Sequence, residues 1–104
     1  MLMAQDCKYS VKCHDAYHEE GECYWIFFDY MDGGNFSSLL SLVEGKGAVL
    51  SEDFCKQTLY VICRALLELH NKNIIFSDLH PDNVLMKSNG VIKLANFTNS
   101  IILN

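Results

Sequence analysis

Basic charge is scarce in this sequence. Lysine and arginine together number eight against thirteen acidic residues, the formal net charge is -5, and Arg64 is the sole arginine. A nucleic-acid surface needs a basic stripe or patch, and no such run occurs, so that class is set aside. Long apolar runs are missing too. The purely apolar stretches are a few residues each, far below the ~20 needed to span a bilayer. Met1-Leu2-Met3-Ala4 is too short for the apolar core of a signal peptide. Cysteine is present at Cys7, Cys13, Cys23, Cys55 and Cys63, but the number is odd and there is no CxxC spacing. That pattern predicts small apolar packers in a reducing, cytoplasmic setting. Cys7, Cys13, His14 and His18 lie close in sequence, yet their spacing matches no common zinc finger.

What is there belongs to a folded chain. Half of the residues are hydrophobic and 12% are aromatic, which excludes a disordered tail. A length of 104 residues bounds the chain to one small domain. Residues 9–17 alternate loosely as a half-buried strand does. After the polar turn His18-Glu19-Glu20-Gly21-Glu22, the run Cys23-Tyr24-Trp25-Ile26-Phe27-Phe28 reads as a buried strand, and the two form a hairpin. Asp32-Gly33-Gly34-Asn35 predicts a bend. Phe36, Leu39, Leu40 and Val43 recur at helical spacing up to Gly45-Lys46-Gly47. That Gly-Lys pair is a helix-ending loop and not a phosphate cradle, because Leu40 and Gly47 stand where the cradle needs glycine and Ser or Thr.

Ser51 is a good N-cap, with Glu52 and Asp53 suited to the positive end of a helix dipole. Phe54, Thr58, Ile62, Ala65, Leu66 and Leu69 then repeat every three or four residues, with Asp53, Gln57, Arg64 and Glu68 on the opposite stripe. Leu59, Cys63 and Leu67 lie beside the main stripe, so the helix expects neighbours on several sides. Asn71-Lys72-Asn73 stops it. Ile74-Ile75-Phe76 follows as a short strand, then the polar string Ser77 to Asn83. Val84-Leu85-Met86 and Val91-Ile92-Lys93-Leu94 flank Ser88-Asn89-Gly90, a strong hairpin signal. His14, His18 and His70 have no chemical company in sequence and read as structural or solvent-facing.

At this point the letters coincide with a family. Ile74-Ile75-Phe76-Ser77-Asp78-Leu79-His80-Pro81-Asp82-Asn83-Val84-Leu85 resembles the catalytic loop of eukaryotic protein kinases, I-x-H-R-D-L-K-P-x-N-[IV]-L. Ile92-Lys93-Leu94-Ala95-Asn96-Phe97-Thr98 is similar to their metal-binding loop, I-K-L-x-D-F-G, and Phe28-Asp29-Tyr30-Met31-Asp32-Gly33-Gly34-Asn35 to their hinge. The Gly-Gly hinge and Leu69-His70 look most like the sterile-twenty and p21-activated group of serine/threonine kinases. The likeness runs from about residue 9 to the end. It implies an α+β, protein kinase-like fragment over 1–104: a small-lobe strand pair (9–28), a hinge (29–35), and the start of the large lobe with its catalytic loop (36–104).

The resemblance also implies roles. Family activity is transfer of phosphate from ATP to Ser or Thr of a protein substrate, with Mg2+ neutralising the phosphates. Asp78 matches the aspartate that accepts the hydrogen bond of the substrate hydroxyl, and Asn83 a magnesium ligand. Phe28 would be the gatekeeper, Asp29 and Met31 would offer backbone groups to adenine, and Leu85 would form the pocket floor. Four departures weaken this set. Asn96 stands where the chief metal-binding aspartate belongs and brings no charge to a hard dication. His80 replaces the lysine that contacts the transferred phosphoryl group. Thr98 replaces a glycine, limiting backbone freedom. Ser77 replaces the arginine that pairs with a phosphorylated activation loop. No G-x-G-x-x-G stands upstream, and the resemblance covers less than half a kinase domain. The expectation is little or no catalysis, or else a pseudokinase remnant that docks on a protein partner, or one part of a longer or split kinase. It also predicts that the isolated chain is partly unfolded, oligomeric or insoluble without a partner or the other lobes.

Overall fold

A computed structural model describes residues 7–21, 23–97 and 99–103. Met1-Leu2-Met3-Ala4, Glu22 of the polar turn and Thr98 therefore lie outside the described residues. The core forms where the long helix meets two short hairpins. That helix, α2 (Glu52–Asn71), is capped by Ser51, whose Oγ accepts the Phe54 amide at 3.1 Å. The buried stripe is the one its spacing predicts: Thr58, Ala65 and Leu69 are buried, with Ile62 and Leu66 partly so. Ala65 and Leu69 are 0% exposed. They pack with Ile74, Phe76, Val84, Ile92, Leu94 and Cys7 in one cluster. Leu59, Cys63 and Leu67 remain exposed beside the stripe. Glu68, expected on the solvent stripe, is half-buried, and its Oε2 has no hydrogen-bond partner among the described residues.

After α2, β4 (Ile74–Ile75) pairs antiparallel with β7 (Ile101–Ile102). β5 (Val84–Met86) and β6 (Ile92–Leu94) form the predicted hairpin, and β3 (Gly34–Asn35) adds to the free side of β5. This last contact requires Gly33. Its amide donates to the Met86 carbonyl at 2.8 Å, and a Cβ on residue 33 would stand 2.8 Å from that same oxygen. Asp32 holds the bend from the other side, accepting the Ser88 amide and hydroxyl. Asn35 then caps α1 (Phe36–Gly45) through the Ser38 amide.

β1 (Cys13–Glu19) and β2 (Cys23–Phe28) make the first hairpin, with Tyr17 opposite Trp25 and a register shift between Cys13 and Asp15. Two expectations need correction here. The first strand begins at Cys13, not residue 9, because residues 9–11 run beside β6 instead. The Leu94 amide donates to Tyr9 and the Val11 amide to Leu94, each at 2.8 Å. β2, read as buried, is exposed along all six residues. Tyr17 stacks on Trp25 and Phe27, yet Trp25 and Phe27 remain 48% and 46% exposed. Aromatic and β-branched content signals a strand that can be covered, and no described element supplies that cover.

Cysteine packing is likewise split: Cys7 and Cys13 are buried, while Cys23, Cys55 and Cys63 are exposed, and none of the five is in a disulfide among the described residues. Among the described residues no three His, Cys, Asp or Glu side chains converge as metal ligands, and no helix is long and apolar enough to cross a membrane.

The uncovered aromatic hairpin generates a prediction. Wide apolar edges associate, so the purified chain is expected to self-associate with concentration in sedimentation velocity. Trp25→Thr combined with Phe27→Thr should raise the monomer fraction severalfold. A wild-type chain that stays monomeric throughout would count against it.

Candidate functional site

The chain from β4 to β5 is anchored at both ends in the core, by Phe76 and Val84. Between them Ser77 takes φ +69°, the left-handed region that a side chain adopts at a cost, and this turns Asp78 away from the strand direction. The buried Asn83, in the 3₁₀ turn Pro81–Asn83, donates through Nδ2 to the Asp78 carbonyl at 2.9 Å and to Asp78 Oδ2 at 3.1 Å. Asn99 Nδ2 reaches the same Oδ2 at 3.4 Å. Asp78 is thus held by amides of two separate segments. Asn96, after β6, also adopts a positive φ of +67°, and its Nδ2 donates to Asn83 Oδ1 at 3.2 Å. Asp78, Asn83 and Asn96 come together as one hydrogen-bonded chain.

This arrangement does not fit magnesium. The Asn83 oxygen that would ligate the ion already accepts an N–H from Asn96, and Asp78 is the sole carboxylate of the three. A hard dication prefers charged oxygens with open lone pairs. His80 is tied up as well. Its Nδ1 accepts the Asp82 amide at 3.2 Å and caps the 3₁₀ turn. The same Nδ1 lies 3.4 Å from Asp82 Oδ2, so the ring is engaged by the residue two places on. Ser77 brings no charge.

The main cavity, about 580 Å³, opens beside Asn96. Val11 lines one side, Phe28 and Asp29 the end of β2, Leu85 the β5 side, and Ala95 to Phe97 the end nearest Asp78. Phe28, Asp29, Leu85 and Asn96 therefore share one cavity, and Asn96 links it to the Asp78–Asn83 pair. Met31 is not among the lining residues: its side chain is buried and its carbonyl accepts the Gly34 amide at 3.3 Å.

The strongest electrostatic feature lies in the cavity wall, at Asp29. Its Oδ2 accepts from Lys93 Nζ and the Lys12 amide, each at 3.1 Å, and its Oδ1 pairs with His14 Nε2 at 2.6 Å. Partial burial pushes the carboxyl up. The bonds from Lys12, Lys93 and His14, together with the Lys93 charge, outweigh that and bring it down from 3.8 to about 2. His14 thus has chemical company that its sequence context hides, while its ring stays exposed to solvent. His18 stacks on Tyr24 and is exposed, as is His70 at the end of α2. Lys93 was visible within the I-K-L motif. His14 and Asn99 carried no sequence signal, since only folding brings them to their carboxylates.

A profile of the protein kinase domain matches residues 1–104. The chain is 33% identical over 104 residues to human serine/threonine-protein kinase MRCK beta, covering all of this chain and 6% of that protein. It is 36% identical over 91 residues to Aurora kinase of Saccharomyces cerevisiae, covering 88% of this chain and 23% of the relative. It is 37% identical over 97 residues to ribosomal protein S6 kinase alpha-6 of Danio rerio, covering 93% of this chain and 12% of the relative. The chain thus spans less than a quarter of each of these relatives.

Asp29 yields a second prediction. Asp29→Asn should lower stability near pH 7 by about 1.5–3 kcal/mol, the range for hydrogen bonds to a charged group. Because the folded carboxyl titrates below its ordinary value, this contribution is complete above pH 3.8 and is lost as the pH falls through about 2. Urea midpoints of both chains across that range should converge. A gap unchanged by pH would show that the carboxylate is not held by these partners.

Proposed function

Because this chain belongs to the protein kinase domain family, we propose that its cavity takes the adenine of ATP while its 76–83 loop supports little phosphoryl transfer. The observation that carries this reading is the placement of Asn96, at once a wall of the cavity and the donor that occupies Asn83. Phe28 and Leu85 present apolar faces to a flat base, and the backbone of the hinge from Asp29 to Met31 supplies its hydrogen bonds. Asp78 lies beyond Asn96, where it would accept the hydrogen bond of a Ser or Thr hydroxyl from a protein substrate. In family chemistry that oxygen bonds to the γ-phosphorus as the bond to ADP breaks, and the aspartate takes the proton. Here Asp78 keeps its residue type, and Asn83 holds its carboxylate. The charge that should surround the phosphates is reduced: Asn96 is an uncharged amide, and the His80 ring is engaged by Asp82 and caps the 3₁₀ turn.

The exposed β2 face favours a second role, in which the chain contributes a docking surface to a protein partner or to the rest of a longer kinase. Five cysteines outside any disulfide among the described residues, three of them exposed, suit a reducing cytoplasmic setting. Gly33-Gly34 and Leu69-His70 support placement near the sterile-twenty and p21-activated group.

The test is direct. A ribose-labelled fluorescent ATP analogue should bind with an affinity that changes less than about threefold when Mg2+ is removed, since the site offers the ion few open oxygens. With Mg-ATP and Ser or Thr peptides the chain should give no radiolabel transfer above the Asp78→Ala variant. Restoring Asn96→Asp together with His80→Lys should not recover turnover, because this sequence carries no G-x-G-x-x-G to cradle the phosphates and members of a catalytic set act non-additively. Clear turnover by the double variant, or transfer by the wild type that Asp78→Ala abolishes, overturns the reading.

A further inference from the structure

His14 sits at the one place where the first hairpin changes register. Cys13 faces Phe28 and Asp15 faces Phe27, so His14 is the extra residue of a bulge. A bulge re-aims the side chain it leaves unpaired, and here the ring meets Asp29 Oδ1 at 2.6 Å. On the other oxygen of the same carboxylate is Lys93, whose strand position is directly opposite Leu85. Asp29 and Leu85 form different sides of the main cavity. One carboxylate therefore joins three elements: the β1 bulge, the segment after β2, and the β5–β6 hairpin. The geometry differs from a surface ion pair in burial. The Asp29 and Lys93 side chains are 17% and 19% exposed, and His14, at 51%, is the member that solvent reaches.

We propose that His14 is a positioning residue that, through Asp29, sets the spacing of the two cavity walls, and that its protonation tightens this hold. The proposal rests on the reading of the cavity as an adenine site only for its effect on ligand affinity. The tie between the walls stands on the contacts themselves. Imidazoles in general gain or lose a proton between about pH 5 and 8, a range in which the Asp29 carboxylate, held down to about 2, keeps its charge. A neutral ring donates one hydrogen bond to Oδ1 from Nε2, and a protonated ring makes the same bond with charge added. The charged groups facing it are the Asp29 carboxylate and, across that carboxylate, the Lys93 ammonium. On its own strand Asp15 directs Oδ1 to the Ala16 amide instead. Lower pH should therefore hold Phe28 and Asp29 more firmly against the β5–β6 hairpin, and a flat ligand clasped between these walls should bind more tightly. For one partly exposed charge pair the effect is about two- to fivefold in affinity.

The experiment compares the full chain with His14→Gln and His14→Ala. Glutamine can donate to Asp29 without titrating, so it retains the contact and removes the proton dependence. Backbone amide resonances of Lys12 and Asp29, the two groups that bond to each other beside the carboxylate, are followed by NMR from pH 5 to 8.5 without ligand. In the wild type they should move with the His14 ring, and in His14→Gln they should stay flat. Binding of a fluorescent ADP analogue is then measured at pH 6 and 8. The wild type should lose about two- to fivefold in affinity relative to His14→Gln as the pH rises, a comparison that cancels titration of the ligand's own phosphates. His14→Ala should bind more weakly than either at pH 6. Amides that titrate equally in His14→Gln, amides that stay still while the ring titrates, or a wild-type spectrum without dispersed hinge resonances each overturn the proposal. If the amides behave as expected but no ADP analogue binds at any pH, the adenine reading fails and the His14 tie stands.

Discussion

The packing of Ala65 and Leu69 against Phe76, Val84, Ile92 and Leu94 is the contact on which every other feature hangs. Among the described residues helix α2 is the longest regular element, and its apolar stripe is covered by strands of two or three residues that could not stand alone. Those strands bracket the loop that carries Asp78 and Asn83. Phe76 and Val84 fix its two ends in the core, which lets the backbone between them hold a left-handed Ser77. Residues 9–11 are drawn into the same core by hydrogen bonds to Leu94, and through them the first hairpin is joined to the rest.

Around this core the stabilising chemistry changes character with distance. Near α2 it is apolar burial. At the cavity wall it is electrostatic, with Lys12, His14 and Lys93 converging on Asp29. At the far end of β1–β2 the hairpin is held by its own backbone hydrogen bonds, aromatic stacking and the Trp25 indole donating to Glu19 Oε2, and the strand faces meet solvent. The site lies between the first two regimes. Its walls are rigid where they touch the core, and on the β2 side they depend on a single carboxylate.

The substitutions in the 76–83 loop and at Asn96 act together. An aspartate in place of Asn96 would offer an oxygen to a metal, whereas the amide offers a donor to Asn83 and closes the chain of side chains on itself. A lysine in place of His80 would carry charge, whereas the imidazole accepts an amide and caps a turn. In both positions the side chain bonds to its own chain, Asn96 to Asn83 and His80 to the Asp82 amide.

Much of this was legible in the sequence because it rests on local chemistry. Ser51 and the spacing of Thr58, Ala65 and Leu69 specify α2, since a cap and a 3.6-residue period need no distant partner. Asn89-Gly90 specifies the β5–β6 turn for the same reason, and the Asp78 and Asn83 motif kept its order. The sequence by itself determined the family, the helix and the loop. It could not determine that β2 stands uncovered, because aromatic content reports what a strand can bury and not whether anything arrives to bury it. Nor could it place His14, Lys93 and Asp29 on one carboxylate: they are 15 and 64 residues from it along the chain, and a register shift of one residue in β1 decides where the imidazole points. Tertiary structure alone settled that, because hydrogen bonds between distant residues depend on which strands meet, and local propensity carries no record of the meeting.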